Sequence, residues 1–133
     1  MMPGISKEFS ETGVGDMKKI LVIDDEEMIL NAMKLVMEDM GYSISGYSDP
    51  LEGERAALQE DFDLIITDLR MPKKDGAAVT ERVLEEKPDA RILILTAHPT
   101  DPLAKKALES GALSLMKKPF DIGKILDYLS DRE

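Results

Sequence analysis

Four acids, Asp24, Asp25, Glu26 and Glu27, stand directly behind the apolar run Ile20-Leu21-Val22-Ile23, and a fifth, Asp68, closes a second run, Leu64-Ile65-Ile66-Thr67. Two carboxylates about 5 Å apart repel by roughly 3 kcal/mol at an effective dielectric of about 20, and an adjoining hydrophobic strand only lowers that dielectric. A fold that tolerates such a cluster needs positive charge at its centre. A hard divalent cation suits oxygen donors, and Mg²⁺ in particular takes one or two carboxylates, several waters and a phosphate oxygen. Thr96 ends a third apolar run, Ile92 to Leu95, and Lys118 precedes Pro119 after a weaker one. Carboxylates, a hydroxyl and an amine thus collect at the ends of the apolar runs, a set that suits a hard cation with oxygen ligands.

These residues sit at the ends of elements that must bring them together. The runs at 20–23, 64–66 and 92–95 are too short for helices and rich in β-branched residues. Being apolar on both alternating faces, they belong in a parallel sheet covered on both sides. SISGY at 43–47 and LSLM at 113–116 mix polar with apolar residues, as edge strands do. Five strands with the first, third and fourth in the middle follow. Between them, a helix over 26–40 places Ile29, Met33, Val36 and Met40 on one face and stops at Gly41. The methionines at 28, 33, 37 and 40 have helical spacing and are expected in the core.

Another helix runs from about 76 to 87 and ends before Pro88. Asp101-Pro102 is an N-cap with proline in the first turn, and that helix closes at Gly111. Asp121 caps the last one, with Ile122, Ile125, Leu126 and Leu129 as its stripe and Phe120 stapled to Ile125. Residues 50–60 carry the weakest helical signal. Five alternations of strand and helix predict a doubly wound α/β fold with right-handed crossovers, and such sheets bind ligands beyond the carboxyl ends of their strands. The chemistry-bearing residues are at those ends.

The 133 residues suffice for one domain, expected over 17–133, with Met17 as a natural start and 1–16 as a disordered lead-in. A formal charge of -10 disfavours direct nucleic-acid binding, and no apolar stretch approaches the roughly 20 residues of a membrane span. Without cysteine or a signal-like leader, the expected location is cytoplasmic.

At this point the chain resembles the receiver domains of two-component response regulators, with IDDE (23–26), TDLRMPKKDG (67–76), TA (96–97) and KKPF (117–120) in the family's order. The resemblance spans 18–131 and implies the flavodoxin-like strand order 2-1-3-4-5. It makes Asp68 the phosphoacceptor. Asp24, Asp25, Asp68 and the backbone carbonyl of Arg70 would hold Mg²⁺, Lys118 would contact the phosphoryl group, and Thr96 would turn its hydroxyl toward it. A cis Lys118–Pro119 bond, a phosphohistidine donor on a sensor histidine kinase or phosphotransfer protein, and a downstream target or output domain are further implications. Arg70 and His98 become residues that tune hydrolysis. Leu115 stands where receivers often carry Tyr or Phe, which leaves their rotating aromatic reporter in doubt.

Duller duties compete for the same residues. Asp25 could simply cap the first helix, Asp68 could end a strand in a turn, and Thr96 could be an ordinary β-former. Lys117 and Lys118 point to opposite faces by strand alternation, and Lys118 is preferred for its place beside proline. His98, the only histidine, reads as a loop residue, since no second histidine or cysteine supports a transition-metal site. The rival function is a Mg²⁺-dependent phosphatase or phosphotransferase of the haloacid-dehalogenase type. Its DxDxT pattern is absent, because DDEEM follows the first strand.

Overall fold

The computed structural model describes residues 17–130, so the expected lead-in at 1–16 lies outside the described residues. Strand and helix alternate throughout: β1 (Lys19–Ile23), α1 (Glu27–Asp39), β2 (Ser43–Tyr47), α2 (Pro50–Gln59), β3 (Leu64–Asp68), α3 (Gly76–Glu86), β4 (Ile92–Thr96), α4 (Pro102–Ser110), β5 (Ser114–Lys117) and α5 (Ile122–Ser130). All neighbouring strands pair in parallel, in the order β2-β1-β3-β4-β5. This is the predicted 2-1-3-4-5 arrangement, with the two mixed-polarity strands at the edges.

Two apolar layers cover the sheet. On one side Leu21, Ile23, Ile65, Ile92 and Ile94 meet Ala56 and Ala57 of α2, Val79 and Val83 of α3, and Ala104 and Ala107 of α4. On the other, Ile20, Val22, Leu64, Ile66, Leu93 and Leu95 meet Met33 and Met37 of α1 and Ile125 and Leu129 of α5. Each fully buried aliphatic side chain contributes about 1.5–3 kcal/mol. The three central strands, buried on both faces, form the rigid part from which the site is hung.

The helices follow their sequence punctuation with instructive exceptions. α2 is a well-formed helix despite its weak apolar signal, because Asp49 accepts a hydrogen bond from Leu51 N (2.9 Å) and Pro50 opens the first turn. α1 sits rotated from its predicted face. Met33 and Met37 are buried with Ile29 and Leu30 packed beside them, whereas Met28, Val36 and Met40 are exposed. Only two of the four methionines therefore belong to the core: burial follows 29, 30, 33 and 37, and residues 36 and 40 drift off a face that narrow. Asp25 does not cap α1, whose N-cap position is Glu26 and lacks a side-chain capping bond. Asp121 does cap α5, accepting from Lys124 N at 3.2 Å, and Phe120 packs in the same cluster as Ile125.

Gly76, at the start of α3, lies under the end of β3. A Cβ there would come within 2.2 Å of the Asp68 carbonyl oxygen, which is backbone and cannot yield. Gly76→Ala should lower unfolding free energy by about 2–3 kcal/mol, read as a drop in the urea midpoint. An unchanged midpoint would show that the α3 start does not press on β3 in this way.

Candidate functional site

Strand register decides which acids meet. β1 and β3 pair with Ile23 opposite Thr67, so the residues that follow, Asp24 and Asp68, emerge side by side. Asp24 continues the ladder to β2, its N–H donating to Tyr47 O at 3.1 Å. On the other flank Thr96 pairs with Lys117, and Lys118 N donates to Thr96 O at 2.8 Å, which aims Lys118 across the strand ends. The Lys118–Pro119 bond is cis, as the resemblance implied.

One ammonium holds the cluster. Lys118 Nζ is 2.5 Å from Glu26 Oε1, 3.2 Å from Asp24 Oδ2 and 3.3 Å from Asp68 Oδ2. Burial alone would make that ammonium easier to deprotonate, but the bond to Glu26 and the charges of Asp24 and Asp68 outweigh it and hold its pKa above the ordinary lysine value. Asp24 is fully buried. Its Oδ1 accepts from Glu26 N at 2.8 Å, while Oδ2, although in ion-pair range of Lys118, receives no hydrogen bond. Asp68 is 6% exposed; Leu69 N donates to its Oδ1 at 2.7 Å and Lys118 reaches Oδ2.

Burial and the neighbouring Asp24 charge push the Asp68 carboxyl up to about 7, against the opposing pull of Lys118. Burial likewise raises Asp24, with the Glu26 N–H bond and Lys118 working the other way. Carboxylates that resist ionisation in this way need more positive charge than one lysine supplies.

The arrangement fits a cation. Asp24, Asp25 and Asp68 each offer a carboxylate oxygen, and these oxygens lie within 4.8 Å of one another. The unsatisfied Asp24 Oδ2 is a buried acceptor of the kind a hard ion takes. Asp25, exposed, faces an open cleft of about 220 Å³ that Glu26, Asp68, Arg70, Thr96, His98 and Lys118 also line.

The remaining predicted residues are placed as follows. Thr96 is buried, with its Oγ1 accepting from His98 N at 3.0 Å. Arg70 lines the cleft but sends its guanidinium to Asp101, Nε to Oδ2 at 2.7 Å and Nη2 to Oδ1 at 2.8 Å. Lys117 is exposed, as strand alternation required. Leu115 is half-buried among the residues packed under α4. Sequence reasoning passed over Glu26 as a site residue and treated Asp101 only as a cap. The signal for Glu26 was its place in DDE, two residues past Asp24 on the turn that leads into α1.

Comparison with known proteins fits this geometry. The response regulator receiver domain family matches residues 20–130. The chain belongs to that family. Receiver domains are phosphoacceptor signalling modules of two-component systems, working with histidine kinases and output domains. This receiver is 40% identical over 103 residues to PhoP, the alkaline phosphatase synthesis transcriptional regulatory protein of Bacillus subtilis, in an alignment covering 77% of this chain and 43% of that protein. A receiver domain from Clostridium thermocellum superposes with a TM-score of 0.80 at 31% identity, covering 86% of this chain and 93% of that one. TrrA of Thermotoga maritima, solved in complex with Mg²⁺-BeF, gives 0.73 at 28% identity, covering 86% and 98%. The receiver spans less than half the length of the curated relatives it matches.

The raised Asp68 value has a signed consequence. Between 3.8 and about 7 the folded receiver holds a proton there that the unfolded chain has released, so stability without divalent cations falls as pH rises through that window. Asp68→Asn should flatten this dependence and raise the melting temperature at pH 8 in chelator by several degrees, the shift that about 1 kcal/mol produces in a domain of this size. Thermal melts across pH 4–8 check it; a wild-type receiver that gains stability over that range would contradict it.

Proposed function

We propose that this receiver takes a phosphoryl group onto the Asp68 carboxylate from a phosphohistidine on a sensor histidine kinase or phosphotransfer protein, in the cytoplasm, and thereby switches a protein-binding face. The observation that carries this reading is the convergence of three carboxylates and one lysine on a single cleft. In support of the cytoplasmic setting, no helix among the described residues is long and apolar enough to cross a membrane.

Mg²⁺ is the cation proposed for Asp24, Asp25, Asp68 and the Arg70 backbone carbonyl; when bound, it neutralises charge on the acids and on the transferring phosphoryl oxygens. The rest is done by the chain. An Asp68 oxygen attacks phosphorus, the P–O bond forms as the donor's P–N bond breaks, and the imidazole departs with the bonding pair. Leu69 N–H fixes the plane of the attacking carboxylate. The Lys118 ammonium, 3.3 Å from Asp68 Oδ2, is positioned to follow the charge onto the phosphoryl oxygens. To hydrogen-bond the phosphoryl group, the Thr96 hydroxyl leaves its place as acceptor for His98 N–H. Water attack on phosphorus reverses the modification, releasing inorganic phosphate and restoring Asp68. The chain thus catalyses its own phosphorylation and dephosphorylation and no other turnover.

Domain limits are part of this reading: the receiver is assigned to 17–133, with 1–16 preceding it as a lead-in. In this reading the switching face is formed by α4, β5 and α5, where Leu115 stands in place of an aromatic reporter and the response passes through the β4–α4 segment.

Incubation with acetyl phosphate and Mg²⁺ should yield a single phosphoryl adduct by intact mass, lost in Asp68→Asn and reduced about 10- to 100-fold in rate in Lys118→Ala. Amide shifts should spread over residues 96–116. An adduct that survives Asp68→Asn, or forms as fast in chelator, would overturn the assignment.

A further inference from the structure

The Arg70 guanidinium lies two residues beyond Asp68 and lines the same cleft, yet it is engaged elsewhere. Its two bonds to Asp101 are the parallel fork that arginine makes equally well with a carboxylate or a phosphate. Asp101 is anchored independently. Its Oδ1 accepts from Leu103 N at 2.9 Å as the N-cap of α4, and its own N–H donates to His98 O at 3.0 Å. The two partners differ in freedom: the Asp101 side chain is 10% exposed and the Arg70 side chain 63%. The guanidinium is therefore the half of the pair that can leave.

We propose that Arg70 is a phosphoryl-binding residue held in reserve on Asp101, so that modification of Asp68 draws its guanidinium off the N-cap of α4. The inference rests on the acceptor reading above. A phosphoryl group carries close to two negative charges and three acceptor oxygens, against the single charge of Asp101. Asp75, another acid acting on the guanidinium, stays in place as the cap of α3, accepting from Ala78 N at 2.8 Å. Once Arg70 leaves, Asp101 still caps α4 through Oδ1 but no longer ties the β4–α4 corner to the loop after β3. The site would thus report to α4 through one arginine without an aromatic switch on β5.

Beryllofluoride with Mg²⁺, a stand-in for the phosphoryl group, tests this at equilibrium. Asp101→Asn keeps a capping oxygen and removes the competing charge, so it should tighten beryllofluoride binding about 2- to 5-fold; Arg70→Gln should weaken it by a similar factor. In Arg70→Gln the Asp101→Asn change should have no effect, and the opposite signs of the two single variants separate the proposal from a purely structural pair, whose loss from either side would shift binding the same way. In wild type the Arg70 ¹⁵Nε and Leu103 amide resonances should both move on adding the probe. Additive effects, or an unmoved Arg70 resonance in protein that binds the probe, overturn the proposal alone. Wild-type protein that binds no beryllofluoride and forms no acetyl-phosphate adduct overturns the acceptor reading and this inference with it.

Discussion

Repulsion between Asp24 and Asp68 is the constraint on which the site depends. The two carboxylates are adjacent because Ile23 and Thr67 face each other in the β1–β3 ladder, and both strands are locked by side chains buried on both faces of the sheet. Neither acid can retreat without breaking central-strand packing. The fold therefore holds a buried negative site in which Lys118 offsets only part of the charge, and the Asp24 Oδ2 atom stays without a hydrogen bond. A site built this way suits a cation because its resting state is poorly satisfied.

The same geometry ties chemistry to shape. Leu69 N–H and Lys118, which hydrogen-bond the Asp68 carboxylate, lie just past the carboxyl ends of β3 and β5, so a change of charge at Asp68 acts first on the loops that follow the strands. Thr96 and Arg70 are the two groups whose present partners, His98 N–H and Asp101, belong to the segment leading into α4. That segment is where a local electrostatic event can become a change in a surface.

Most of the fold was legible in the sequence because the central strands are uninterrupted apolar runs and the edges are not. The acids at strand ends stood out for the same reason: charge against a buried strand requires an explanation. What escaped had specific causes. The face of α1 was misjudged because Ile29, Met33, Val36 and Met40 satisfy helical periodicity as well as the true set does, and only packing against the sheet chooses between them. α2 looked weak because its core contacts are Ala56, Ala57 and Gly53, small residues that let the helix lie close to Ile23 but carry little hydrophobic signal. Its Asp49-Pro50 start was the same cap that identified α4. The roles of Glu26 and Asp101 depend on partners 92 and 31 residues away in sequence, and spacing along the chain does not encode those contacts.

The most direct measurement is the carboxyl ¹³C titration of Asp68 by NMR, with and without Mg²⁺. Burial, reinforced by the Asp24 charge, predicts a midpoint near 7 in chelator that returns to the ordinary carboxylate range when the cation is present. A midpoint near 4 under both conditions would mean that burial and the Asp24 charge do not hold the carboxyl protonated, and the physical basis proposed for the site would be wrong.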